Sequence, residues 1–99
     1  MKRLFISQPM HGKSDEEILE VRKAAIAEAE TLVGEPVIVI DSFFQNAPHD
    51  AKPLWFLGKS LELMSTADVV YFAEGWQEMR GCKIEHTCAV EYGFDRIEK

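Results

Sequence analysis

Glu85 lies in the run Arg80-Gly81-Cys82-Lys83-Ile84-Glu85-His86, where the pattern predicts the first turns of a helix. Gly81, Glu85, Ala89 and Gly93 recur every fourth residue, so they stack along one side of that helix. Three of the four are small, and that side can approach another backbone or a ligand closely. Glu85 is its only charge. The positive helix end is expected to keep the carboxylate ionised, as a nucleophile requires. On helical charge statistics alone, a solvated glutamate is the commoner outcome.

A second candidate is Ser7-Gln8-Pro9-Met10-His11-Gly12-Lys13, which follows an apolar run and precedes a helix start. Exposed backbone N–H groups, the helix dipole, Ser7 and Lys13 could receive a phosphate or hydroxyls. The segment matches neither the P-loop nor G-x-G-x-x-G, and an ordinary turn between strand and helix accounts for it as well. Asp41 and the pair Gly75-Trp76 stand where two later apolar runs end. Trp76 could stack on a base or pack as a lid. Tyr71 and Phe72, inside a strand, are expected in the core. Cys82 and His86 are four apart, but two ligands without a supporting third do not make a zinc site. No metal or cofactor is expected. The six-residue spacing of Cys82 and Cys88 puts them on different helix faces, so reduced thiols are expected.

These residues must be positioned by an alternating pattern of strands and helices. Leu4-Phe5-Ile6 predicts a first strand. Ser14-Asp15-Glu16-Glu17 has the form of a capping box opening a helix, with Ile18, Val21, Ala25, Ala29 and Leu32 as its apolar stripe. Gly34 and Pro36 end it. Val37-Ile38-Val39-Ile40, four β-branched residues in a row, predicts a strand buried on both faces. After a polar loop containing Phe43 and Phe44, Pro53 opens a helix with the stripe Leu54, Leu57, Leu61 and Met64. Val69–Phe72 predicts the third strand, 81–92 the third helix, and 94–97 a weak fourth strand at an edge. Asp68 precedes the third strand, at the end opposite the expected site. The order β-α-β-α-β-α requires parallel strands with right-handed crossovers, and a 2-1-3 sheet with a possible strand 4 beside strand 3 is expected. Ligands of such sheets lie beyond the strands' carboxyl ends.

The 99 residues suit one domain spanning 1–99, and 46% are hydrophobic, enough for one core. The apolar blocks are far shorter than the roughly 20 residues a membrane helix needs, and the apolar start turns polar at Gln8, so a cytoplasmic protein without membrane contact is expected. A net charge of -6 argues against a nucleic-acid partner. Phe43, Phe44, Trp55 and Phe56 cluster around one loop and helix start, and a homodimer or larger is expected.

Taken together, Phe5-Ile6-Ser7-Gln8-Pro9-Met10, Ala67-Asp68-Val69-Val70, Gly75-Trp76 and Arg80-Gly81-x-x-x-Glu85-His86-x-x-Ala89 occur in an order that resembles small members of the nucleoside 2-deoxyribosyltransferase superfamily. The resemblance covers nearly the whole chain. It implies a flavodoxin-like three-layer αβα sandwich and a nucleoside or nucleotide ligand. It also implies that Glu85 attacks C1′ of the sugar, forming a glycosyl–enzyme ester that a second base or water resolves. It places Ser7, Gln8, Pro9, Met10, Gly12, Asp41, Ser60, Gly75, Trp76, Arg80 and Gly81 in the substrate site.

Two positions depart from the pattern. Where bond-cleaving relatives carry an aspartate, eight residues before Asp68, this chain has Ser60, a poor proton donor. Where relatives often carry a serine, six residues before the glutamate, it has Met79. Three functions remain open: a glycosidase or deoxyribosyltransferase-like enzyme, a binding module that lost its general acid, or an interaction domain without a ligand. Glu62, Asp41 or a partner chain could supply the missing acid.

Overall fold

Side chains alternate across β1 (Lys2–Ser7), and this alternation divides the core in two. The computed structural model describes residues 1–44 and 47–99. Leu4 and Ile6 face one way and pack with Ala25 and Ala29 of α1 (Asp15–Val33) and with Val69 and Tyr71 of β3 (Val69–Phe72). Phe5 faces the other way. It packs with Val70 and Phe72 of β3, Met64 of α2 (Pro53–Met64) and Ala89 of α3 (Arg80–Glu91). Phe5, Phe72, Leu4, Ile6 and Val70 are fully buried, and each contributes about 1.5–3 kcal/mol of burial. The alanines on α1 and α3 let both helices lie close to the sheet.

Four strands run parallel in the order β2-β1-β3-β4, with β2 at Val37–Val39 and β4 at Asp95–Glu98. This is the expected 2-1-3 order with the fourth strand beside the third. With one helix on one face and two on the other, the chain is a small flavodoxin-like αβα sandwich. A 3₁₀ turn, Trp76–Glu78, leads into α3.

The helix signals act as read. Ser14 Oγ accepts from Glu17 N and Glu17 Oε1 accepts from Ser14 N, both at 3.1 Å, so the capping box forms. Gly34 closes α1 in the left-handed region at φ 85°, with its N–H donating to Glu30 O. Pro53 occupies the first turn of α2.

Four expectations need correction. The β-branched run is not a strand buried on both faces. β2 is an edge strand with Ile38 exposed, because β1 has β3 on its other side. Ile40 lies beyond the strand, yet it is buried and its N–H donates to Leu4 O. The buried face of α1 is Ile18, Arg22, Ala25 and Ala29, while Val21 and Leu32 are exposed. On α2, Met64 is buried and Leu54 is 76% exposed. The fourth strand starts one residue later than expected, since Phe94 packs into the second core cluster instead of pairing.

Candidate functional site

Among the described residues, five polar or charged side chains are buried: Ser7, Gln8, Arg22, Ser42 and Glu85. All five converge on the carboxyl edge of the sheet. Ser7 ends β1 and Gln8 follows it. Ser42 lies just after β2, and Arg22 and Glu85 reach that edge from α1 and α3. Buried polar groups are costly unless bonded, and here they are concentrated where a parallel sheet places its ligands.

On the α3 side, Ser7 Oγ donates to Glu85 Oε1 at 2.6 Å. Glu85 is 7% exposed. Burial raises its pKa above the ordinary 4.5, and the Ser7 hydroxyl, then the Ser60 hydroxyl from α2, oppose that rise. The helix end was expected to keep the carboxylate ionised, but desolvation outweighs any such effect: Glu85 sits beyond the first turn of α3, where a helix dipole has largely faded. Cys82, one turn earlier on α3, is also buried. Desolvation pushes its thiol up to about 11, against the Ser7 hydroxyl and with the Glu85 charge adding to the rise, so it is a poor nucleophile. Both cysteines are free.

The groups that act on Glu85 are hydroxyls. Neither carboxylate considered as a proton donor contacts it. Glu62 is exposed and pairs with Lys59 at 3.3 Å, and Asp41 is exposed and acts instead on the Arg22 charge. Met79 is the N-cap residue of α3 and provides no side-chain cap. Arg80 and Gly81 are exposed at the start of that helix, and a Cβ at Gly81 would meet nothing within 4 Å.

On the α1 side, Gln8 Nε2 donates to Ile18 O at 3.1 Å, while its Oε1 is buried without a partner among the described residues. One helical turn along, Arg22 donates to Ile40 O at 3.1 Å and to Ser42 Oγ at 3.2 Å. Arg22 was not among the expected site residues. Its spacing to Ile18, Ala25 and Ala29 marks it as inward-facing, but its charge assigns it to the surface.

The remaining expected residues divide. Pro9 meets Gly75, whose φ of +87° requires glycine and whose added Cβ would lie 3.5 Å from Pro9 Cγ, so the loops after β1 and β3 touch. Met10 and Gly12 form the turn before α1: Lys13 N donates to Met10 O, and Gly12 has φ 77°. Pro9, Lys13, Glu17, Ile18, Val21 and Glu74 line a depression of about 120 Å³ beside that turn, and Glu85 is not in its lining. Trp76 stacks on His86 at 4.1 Å and donates from Nε1 to Lys99 O, so one ring face and its polar atom are already engaged. Asp68 accepts from Arg3 N at the opposite edge, a structural contact.

Gln45 and Asn46, within the loop after β2, lie outside the described residues. Among the described residues no helix is long and apolar enough to cross a membrane, and no group of three or more His, Cys, Asp or Glu side chains could hold a metal ion. Comparison of the chain with family models, with curated proteins and with solved structures finds no match.

Proposed function

We propose that this chain binds a nucleoside or nucleotide at the carboxyl edge of its sheet and acts on the N-glycosidic bond with Glu85 as nucleophile. The observation that carries this reading is the Ser7–Glu85 hydrogen bond: a buried carboxylate, oriented by a strand-end hydroxyl, at the edge where such folds take their ligands. Ser7 holds Oε1, and the attack would come from the other carboxylate oxygen once a ligand displaces the Ser60 hydroxyl from this group. Glu85 would form an ester to C1′ while the base departs with the bonding electrons, and water or a second base would then displace the glutamate. The departing base needs a proton, and Ser60 is a weak source. The resemblance in the motifs around Ser7, Asp68 and Glu85 supports the same ligand class.

A second reading is a binding module that keeps the pocket and performs no cleavage. Among the described residues the Ser7 and Ser60 hydroxyls act on Glu85 and no second carboxyl does, which favours it. Under either reading the protein associates as a homodimer or larger, with Leu54 and Tyr92 (76% and 81% exposed) as surface apolar groups that a partner would cover. A thermal-shift screen with nucleosides and their 5′-monophosphates tests the ligand class, and chromatography of released base separates enzyme from binder. Stabilisation by nucleosidic ligands is expected; none at millimolar concentration would contradict both readings.

A further inference from the structure

Arg22 is a buried cation that pairs with no carboxylate among the described residues. It is 7% exposed, yet it makes none of the salt bridges among the described residues. Its two bonds go to neutral oxygens, Ile40 O and Ser42 Oγ. Asp41 acts on its charge from an exposed position without bonding to it, and burial pulls the guanidinium pKa down. Gln45 and Asn46, the residues outside the described set, carry no charge. A guanidinium has five N–H donors in a planar fork, and the described contacts use two of its hydrogens. Holding such a cation out of water without a counter-charge is expensive. A second uncompensated group faces the same helix. Gln8 is 5% exposed and bonds to Ile18 O, one turn before Arg22, while its Oε1 has no partner among the described residues.

We propose that Arg22, with Ser42 and Gln8, forms an anion-recognition site that takes the phosphate of a nucleoside monophosphate. The fork of Arg22 would pair with the phosphate oxygens, the arrangement for which guanidinium is best suited. The Ser42 hydroxyl would donate to the same group, and Gln8 Oε1 would accept from a ligand hydroxyl. Ser7 and Gln8 are consecutive, and they bond to Glu85 on one side of β1 and to α1 on the other. The phosphate site and the carboxylate thus flank one strand end. The anion site itself stands on Arg22 and Ser42; the role of Gln8 and the identity of the ligand rest on the function proposed above.

The test measures affinity by calorimetry for inorganic phosphate, for nucleosides and for their 5′-monophosphates. The wild type is compared with R22Q, which keeps N–H donors without the charge, and R22K, which keeps the charge without the fork. In the wild type a monophosphate is expected to bind roughly 10–100-fold more tightly than its nucleoside, the scale of hydrogen bonds to a charged group. R22Q should abolish that preference and leave nucleoside affinity in place, and R22K should retain part of it. If R22Q fails to fold, the salt dependence of the wild type decides: monophosphate affinity should fall with added sodium chloride while nucleoside affinity holds. Phosphate binding that R22Q removes, without any nucleoside binding, would support the anion site and sink the nucleoside reading. Nucleosides binding as well as monophosphates, a preference that survives in R22Q, salt-independent monophosphate binding, or no binding of any probe would overturn the anion site.

Discussion

The Ser7 hydroxyl and the Glu85 carboxylate, 78 residues apart in sequence, meet at 2.6 Å inside the carboxyl edge of the sheet. Ser7 is held by its place in β1, paired with Phe72 of β3, so the donor is as rigid as the core beneath it. Glu85 is held by Ala89, one turn further along α3, which is fully buried against Phe5 and Phe72. The hydrogen bond therefore joins two elements whose separation is fixed by packing.

Burial raises the Glu85 pKa above 4.5, so the folded chain holds this proton more tightly than the unfolded chain does. The stability it contributes is fully present below the unfolded value and is lost as pH rises through the raised folded value. Above the ordinary 4.5 this buried carboxyl therefore lowers stability relative to an uncharged side chain in its place. Glu85→Gln, which can still accept from Ser7, is expected to melt above the wild type at pH 7, with the gap closing below about pH 4.5. Paired thermal melts across that range check it; a gap that is constant with pH, or of opposite sign, would contradict the burial.

Ser7→Ala removes the strongest donor to that carboxylate. The loss leaves a buried acceptor short of a partner, at a cost of about 1–3 kcal/mol, which in a domain this small lowers Tm by roughly 4–8 °C per kcal/mol. The same change pushes the Glu85 pKa further up, so the acid limb of any pH–rate profile moves to higher pH. A profile unmoved by Ser7→Ala would show that the hydroxyl does not act on the reacting carboxylate.

Much of this fold was legible along the sequence. The capping box at Ser14 and Glu17, the stop at Gly34 and the apolar runs at β1 and β3 are local signals, and each acts within a few residues of itself. Glu85 was legible as the charge in a stripe of small residues, and its burial follows from the buried Ala89 beside it. Arg22 was not. Helical spacing puts it on the buried face with Ile18 and Ala29, but only the oxygens of Ile40 and Ser42, brought over by chain pairing, make burying a guanidinium tolerable. Val21 and Leu32 were misplaced for the same reason: a stripe of apolar residues shows that a helix has a buried face, and the sheet beneath it decides which residues occupy that face. The β2 run was legible as a strand, and the expected 2-1-3 order put it at an edge; what the run of β-branched residues did not show is that Ile38 faces solvent and that Ile40 falls beyond the strand.

Ser60 stands on α2 close enough for its hydroxyl to lower the Glu85 pKa. Ser60→Asp would place a second carboxyl beside the first. Two carboxyls in one desolvated site cannot both ionise easily, so one should keep its proton near neutral pH. If the site is otherwise complete, that acid should raise base release by about 10²–10⁴-fold. Release measured by chromatography with a fixed nucleotide panel checks this, and a variant that binds as well as wild type with no gain in release would argue that the missing acid is not what limits cleavage.

The most direct test of the central claim is base release by Glu85→Gln measured beside its ligand affinity. Removing the attacking oxygen while keeping the side chain's shape should leave binding within a few-fold of wild type and lower turnover by several orders of magnitude, about the scale seen when other covalent nucleophiles are removed. Release unchanged in Glu85→Gln, with the ligand still bound, would contradict the assignment of Glu85 as the nucleophile.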